Sequence, residues 1–250
     1  KDDAFLSKEL VTIIKDVDIE CSIENFVVQS FDKEALVKKY EELEFHALLK
    51  QIGGTNDSLK TSKIEKKYTS ITSKKDLKEL INNIETFDLI SIDLETTSVN
   101  PMTADIVGIS ISFKTNSGFY IPVMYPEKEK NNFGEDDLME VLSLIKRVLE
   151  DSSIKKVGQN IKYDSLIFSR HGIYVAGLFF DTMIAAHILN PAARSYKLDT
   201  LSIEYLNYNM VPIEDLIGNG RDQITMDRVP LDQVTFYASE DADIALQLAR

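Results

Sequence analysis

The segment LISIDLETTS, residues 89–98, constrains the fold of this chain most, because an otherwise apolar run carries two acids. Side chains two positions apart in a β-strand lie on the same face of the sheet. If the segment is a strand, Asp93 and Glu95 project from one face, where two ionised carboxylates repel each other. A cation between the carboxylates would remove this repulsion. We therefore expect the strand to end at a site that binds something positive.

The pattern that follows this strand predicts an α/β fold. Apolar runs at 106–113 and 118–123, joined by short connections, are typical of an antiparallel meander. The helices expected after the meander, with one short strand at 154–158 among them, span 135–151, 160–172, 181–191, 198–207 and 230–250. A meander followed by strands that alternate with helices indicates a mixed β-sheet, antiparallel and parallel, flanked by helices.

The first part of the chain has a different character. Residues 52–75 are rich in Gly, Ser, Thr and Lys without a clear period, and we interpret them as a linker. Residues 1–51 contain an extended stretch, SIENFVVQS, and then an amphipathic helix that starts after Asp32 as its N-cap. A short helix capped by Ser73 or Asp76 would open the compact part of the chain.

Composition excludes several kinds of protein. The single cysteine, Cys21, rules out a disulfide framework, and three histidines without a close pair disfavour a histidine-rich zinc site. No run of about 18 apolar residues exists, so we expect no membrane partner. A net charge of −13 argues against a basic nucleic-acid surface along the whole chain. Because the chain starts at Lys1 and stops at Arg250 within a predicted helix, we expect it to be a fragment of a longer protein.

Two further acids lie where a packed domain disfavours them. Asp164 stands among the apolar residues of NIKYDSLIF, and Asp241 follows Tyr237 by four positions, on the same face of a helix. A buried carboxylate costs free energy unless it is paired or binds a metal. Each acid alone has an ordinary explanation, since acids within helices usually lie on the solvent face, as we expect for Glu240 and Asp243. Together, in this order and on these elements, the acids indicate a specific site.

Four segments, ISIDLETTSVNP, KKVGQNIKYDSLIF, FFDTMIAAHILNP and FYASEDADIALQL, resemble the proofreading 3′–5′ exonuclease domain of bacterial family A (polymerase I-type) DNA polymerases. The resemblance covers the chain from residue 73 to its end and implies a ribonuclease H-like fold. It implies that residues 76–250 form the exonuclease domain, truncated before a polymerase domain. Residues 1–51 are similar to the tail of the 5′-nuclease region and the segment that connects it to the exonuclease.

The resemblance implies a role for each acid. Asp93 and Glu95 match the acidic pair of the first exonuclease motif, and Asp164 matches the aspartate of the second. Tyr237 and Asp241 match the third motif, which is that of the tyrosine type of four-acid exonucleases. The four acids would hold two divalent ions, Mg²⁺ or in its place Mn²⁺ or Zn²⁺, with Asp93 contacting both. Tyr237, helped by Glu95, would orient the attacking water.

The resemblance also implies contacts with the single-stranded 3′ end of DNA. Thr96 and Val99 would line the terminal nucleotide, and Asn160 would contact the sugar-phosphate. Val99 stands where the family often has leucine, so we expect weaker packing on the base. Asn160 has a second explanation as the N-cap of the following helix, and both roles are compatible. Gln159 and Arg194 are weaker candidates.

Three functions remain open from the sequence. The first is a proofreading exodeoxyribonuclease, delivered its strand by a polymerase domain of the same parent chain, in the bacterial cytoplasm and associated with the nucleoid. The second is an exoribonuclease of the ribonuclease D type, since nothing in the motifs separates DNA from RNA. The third is a vestigial domain with a structural role, which the complete set of acids disfavours.

Overall fold

The computed structural model describes residues 2–17, 30–43, 45, 48–49, 52, 65–126, 133, 136–220 and 223–250. The chain divides into two compact units, Lys1–Lys60 and Thr61–Arg250. The first contains helices α1 (Asp2–Val11) and α2 (Lys33–Glu42). The Asp32 carboxylate accepts a hydrogen bond from the Ala35 N–H, which confirms the predicted start of α2. The predicted extended stretch SIENFVVQS lies, except for its last residue, outside the described residues.

The second unit holds most of the regular structure. Its elements, in chain order, are β1 (Lys67–Ser70), α3 (Lys74–Ile84), β2 (Leu89–Thr96), β3 (Ile106–Lys114), β4 (Ser117–Pro122), α4 (Asp137–Leu149), β5 (Lys155–Gly158), α5 (Ile161–Arg170), β6 (Leu178–Asp181), α6 (Thr182–Leu189), α7 (Leu198–Leu206), α8 (Ile213–Ile217), a 3₁₀ turn (Met226–Arg228) and α9 (Leu231–Leu248). Ser73 caps α3 through a hydrogen bond from the Asp76 N–H, as predicted. None of the described helices is both long and apolar enough to cross a membrane.

The strands form one six-stranded sheet in the order β1-β4-β3-β2-β5-β6. Strands β2, β3 and β4 make the antiparallel meander, while β1, β5 and β6 run parallel to their neighbours. The predicted fold class, a mixed sheet flanked by helices, is confirmed. The interval 52–75, which we interpret as a linker, contains β1, because the short polar segment KYTS gives no strand pattern of its own. The domain boundaries themselves stay a prediction.

The central strand β2 separates the two faces of the sheet. Ile90, Ile92 and Leu94 point to one face and are buried in the main apolar core. Apolar side chains of α3 and α4 belong to the same core. The period-2 alternation of LISIDLET thus puts Ile90, Ile92 and Leu94 inward under these helices and Ser91, Asp93 and Glu95 on the opposite face.

The opposite face of the sheet lies against α9, which contacts β1, β2, β3 and β4. Small residues allow this close approach, since a Cβ at Gly118 would lie 2.7 Å from both Cβ and the backbone oxygen of Ser239. The face carries the side chains of Ser91, Asp93 and Glu95. Helix α9 therefore brings its own side chains directly over the acidic end of β2.

The prediction that Glu240 and Asp243 face solvent is wrong, because both side chains are fully buried. Helix α9 is enclosed at this turn by β1, β4 and α7. The Asp243 carboxylate accepts hydrogen bonds from the Tyr68 hydroxyl at 2.8 Å and the Asn116 N–H at 2.9 Å. The periodicity of α9 alone could not show that the helix is covered on more than one side.

Candidate active site

The carboxylates of Asp93, Glu95 and Asp241 lie within 4.8 Å of one another. The first two come from the end of β2, and the third comes from α9, which crosses that strand. Register holds the pair on the α9 face, since Asp93 lies opposite Ser110 and Glu95 lies opposite Gly108 on β3. Residues almost 150 positions apart in the sequence thus form one acidic cluster.

Asp164 approaches the same acids from a different element. It lies in the first turn of α5 and is only 2% exposed. Burial, followed by the charges of Asp93 and Glu95, raises its pKa well above the ordinary value. Asp164 is not part of the three-carboxylate cluster, but its helix α5 contacts β2, the strand that carries Asp93 and Glu95.

Electrostatics in the cluster disfavours four ionised acids. Burial raises the pKa of Asp93 to about 7. Burial and then the charge of Asp93 raise the pKa of Glu95 well above its ordinary value, and the same two causes act on Asp241. Among the described residues, no lysine or arginine forms an ion pair with any of these acids. A set of crowded, unpaired carboxylate oxygens fits the ligand preference of a hard divalent cation.

Tyr237 lies one helical turn before Asp241 and is partly buried at the cluster. Burial and the charges of Asp241, Glu95 and Asp93 raise the pKa of its hydroxyl. The hydroxyl therefore stays protonated at neutral pH, which favours a hydrogen-bonding role over that of a base.

The residues predicted to contact a nucleotide differ in exposure and in hydrogen bonding. Val99 is 94% exposed in the loop after β2. Thr96 is half-buried, and its hydroxyl lies 2.8 Å from the hydroxyl of Tyr163. The Thr96 hydroxyl also donates to the Ser98 carbonyl at 3.1 Å. The loop that carries Val99 is thus attached at its base to α5.

Asn160 precedes α5 in a left-handed conformation, φ 55°, and makes no side-chain cap. Asn160 thus occupies the N-cap position of α5, as the second explanation expects, but its side chain makes no capping hydrogen bond. Asp181 performs that task from β6, since its carboxylate accepts hydrogen bonds from the N–H groups of Asn160 and Ile161 at 3.2 and 2.9 Å. The amide of Gln159, a weaker candidate, donates to the Tyr196 carbonyl at 2.7 Å.

Sequence reasoning missed Tyr163 and Asp181. Tyr163 holds the loop after β2, and Asp181 holds the start of α5. Tyr163 donates to the Ser98 carbonyl as well as contacting Thr96. The contacts by which they hold these segments join positions at least 20 residues apart, so local spacing carries no signal for those contacts. Both residues do lie inside segments that resemble the exonuclease family, KKVGQNIKYDSLIF and FFDTMIAAHILNP.

The raised pKa values predict how metal-free protein responds to pH. Folded acids with a raised pKa bind more protons than the unfolded chain, so their stabilising contribution is complete below about pH 4 and is lost as pH rises through about 7. In EDTA, we expect the melting temperature to fall between pH 5 and pH 8 by roughly 5 °C. Added Mn²⁺ should reverse the fall at pH 8. Differential scanning fluorimetry measures both effects, and a smaller pH slope is expected for Asp93→Asn; an equal slope would contradict the assignment.

Comparison with known proteins places the chain in a family. The sequence model of the 3′–5′ exonuclease family matches residues 68–250, the range that contains all four acids and the tyrosine. The chain belongs to this 3′–5′ exonuclease family. The predicted family and the ribonuclease H-like fold class are both confirmed.

The relatives of this chain include two bacterial DNA polymerases. It is 31% identical to DNA polymerase I of Pseudomonas aeruginosa over 99% of this chain and 28% of the relative. It is 35% identical to DNA polymerase I of Borreliella burgdorferi over 99% of this chain and 29% of the relative. The chain therefore spans less than a third of the length of these curated relatives.

A solved structure similar to the chain is Escherichia coli RNase D, described as an exoribonuclease involved in structured RNA processing. The TM-score is 0.54 at 19% identity, and the match covers 73% of this chain and 43% of that chain. At this identity the likeness shows a shared fold.

Proposed function

We propose that the chain is the proofreading domain of a DNA polymerase I and hydrolyses the 3′-terminal phosphodiester bond of single-stranded or frayed DNA with two divalent metal ions. The observation that carries the proposal is the acidic cluster of Asp93, Glu95 and Asp241, with Asp164 and Tyr237 beside it, inside the matched exonuclease range. Relatives that match almost the whole chain are named DNA polymerase I, which supports DNA as the substrate.

The four acids are proposed as ligands of the two cations. Asp93, Glu95 and Asp241 would share one cation, and Asp164 would join Asp93 at the other. Bound cations supply positive charge that acidifies a water molecule and stabilises the leaving oxygen of a phosphodiester. The raised pKa values fit this assignment, because a cation removes the repulsion that favours protonation.

The remaining residues are proposed to position the reactants. Tyr237, protonated at neutral pH, would donate a hydrogen bond that orients the attacking water, and Glu95 would accept one from it. The exposed side chain of Val99 and the hydroxyl of Thr96 would contact the terminal nucleotide. Asn160, whose side chain makes no cap, would contact the sugar-phosphate.

The larger protein is proposed to contain the domains that the chain lacks. Residues 1–51 would end a 5′-nuclease region, residues 52–75 would include the connection, and residues 76–250 would form the exonuclease domain. A polymerase domain in the same parent chain would deliver the 3′ end, which suits a chain whose net charge of −13 disfavours binding DNA unaided. The proposed location is the bacterial cytoplasm, associated with the nucleoid.

Hydrolysis of matched oligonucleotides tests the proposal. A 5′-labelled single-stranded DNA should shorten from its 3′ end in Mg²⁺ and remain intact in EDTA. A labelled RNA of the same sequence serves as the matched substrate. Faster cleavage of RNA would favour the exoribonuclease alternative, which the fold shared with RNase D supports. No cleavage of either strand would contradict an active domain and favour the vestigial one.

A further inference from the structure

Tyr120 on β4 is fully buried, yet its hydroxyl has no hydrogen-bond partner among the described residues. A buried hydroxyl without a partner costs stability, because no hydrogen bond offsets the loss of its contact with water. Most buried polar groups in folded proteins are satisfied, so this one requires an explanation. Phenylalanine would fill the same space without the cost.

Strand register directs this hydroxyl toward the acidic cluster. Tyr120 lies opposite Ser110 on β3, and Ser110 lies opposite Asp93 on β2, so the three side chains share the α9 face. The ring runs along β3 over Gly108, where an added Cβ would lie 2.2 Å from the Tyr120 hydroxyl oxygen. Gly108 is itself the cross-strand partner of Glu95. The hydroxyl therefore lies over Gly108, which is paired with Glu95 across the two strands.

The ring of Tyr120 packs in an apolar cluster. The buried residues that pack with Tyr120 in its cluster are apolar, namely Val107, Met226, Val229, Val234 and Ala238. The negative groups that act on the hydroxyl are Glu95 first and Asp93 second, and with burial they raise its pKa. Tyr120 is thus a protonated donor, and its hydroxyl overlies the glycine that is the cross-strand partner of Glu95.

We propose that Tyr120 is a positioning residue for Glu95. Its hydroxyl reaches the Glu95 carboxylate through one buried water, which accepts a hydrogen bond from the tyrosine and donates one to a carboxylate oxygen, so that the other oxygen faces Asp93 and Asp241. The role of Gly108 is to leave room for this contact, since any side chain there would displace the tyrosine. The inference rests on the proposed function, in which Glu95 is a metal ligand.

Tyr120→Phe is the direct test, because it removes the hydroxyl and keeps the ring. We expect kcat for single-stranded DNA to fall about tenfold with KM unchanged, and Mn²⁺ to bind several-fold more weakly in a titration followed by electron paramagnetic resonance. The melting temperature in EDTA should fall by no more than about 4 °C, since the ring is kept and only one hydrogen bond is lost. Tyr205→Phe, at an exposed position on α7, is the matched control and should match wild type in every measurement.

The outcomes separate this inference from the proposed function. Wild-type hydrolysis together with unchanged kcat and Mn²⁺ affinity in Tyr120→Phe would overturn the positioning role and leave the function standing. If wild type binds Mn²⁺ but cleaves no oligonucleotide, the proposed function fails, and the Mn²⁺ affinity of the variant still decides whether Tyr120 positions Glu95.

Discussion

Replacing Asp93 by alanine is expected to lower the rate of 3′-terminal hydrolysis by at least about a thousandfold. Asp93 belongs to the three-carboxylate cluster, and its charge raises the pKa of Glu95, Asp164 and Asp241 alike. Without it, the proposed cations lose their shared ligand. Metal ions contribute several kcal/mol of charge stabilisation in the transition state, which corresponds to a factor of about 10³ in rate.

Single-turnover cleavage of a 5′-labelled oligonucleotide in Mg²⁺ measures this effect. Asp88→Ala is the matched control, because Asp88 is exposed immediately before the same strand and should retain wild-type activity. Melting in EDTA should show that Asp93→Ala is at least as stable as wild type at pH 8, since the variant lacks one buried, repelled charge. Activity within tenfold of wild type in a stable Asp93→Ala protein would exclude Asp93 from the chemistry.

The second large effect is on stability, and it concerns Glu240. This fully buried carboxylate accepts hydrogen bonds from the Tyr208 hydroxyl and, at 2.8 Å, from the Val211 N–H. It also pairs with the ammonium of Lys66 at 3.4 Å, and that ammonium lies 3.7 Å from the centre of the Tyr208 ring. One side chain of α9 thus joins the segment before β1 to the segment after α7.

Glu240→Ala is expected to lower the free energy of unfolding by about 3 kcal/mol, because it leaves a partly buried cation and two partly buried donors without their acceptor. Burial already lowers the pKa of Lys66, with Glu240 as the main opposing influence. Urea unfolding at constant pH measures the loss. Asp232→Ala, at an exposed position in the first turn of the same helix, should change stability by less than about 0.5 kcal/mol. A loss below about 1 kcal/mol for Glu240→Ala would show that the contacts are not stabilising.

Local pattern predicted much of the fold. The alternation in LISIDLET is a strand with Asp93 and Glu95 on one face, and Ser73 caps α3 where a capping residue was expected. These features depend on neighbours within a few positions, so the sequence contains the necessary information. Strand β1, in contrast, forms only because β4 offers it a parallel edge, and its polar residues Lys67–Ser70 show no hydrophobic period.

Local pattern predicted the environment of some acids and missed that of others. Periodicity could not tell that Glu240 is buried while Asp241, the next residue, reaches the cluster, because both depend on which elements enclose α9. The apolar neighbours of Asp164 in NIKYDSLIF, however, correctly indicated a buried carboxylate, since they show that this turn of the helix faces the core. The functional roles of these residues stay predictions until the variants are measured.

The sequence by itself determined the strand and helix periods, the family and the residue types available for chemistry, because these are properties of adjacent positions and of motif spacing. Only the tertiary structure decided that α9 crosses the end of β2, that Asp181 rather than Asn160 caps α5, and that Gly108 leaves space for Tyr120. Each of these contacts joins positions separated by 12 or more residues. Their energies come from burial and register across the sheet, which no local pattern of the chain records.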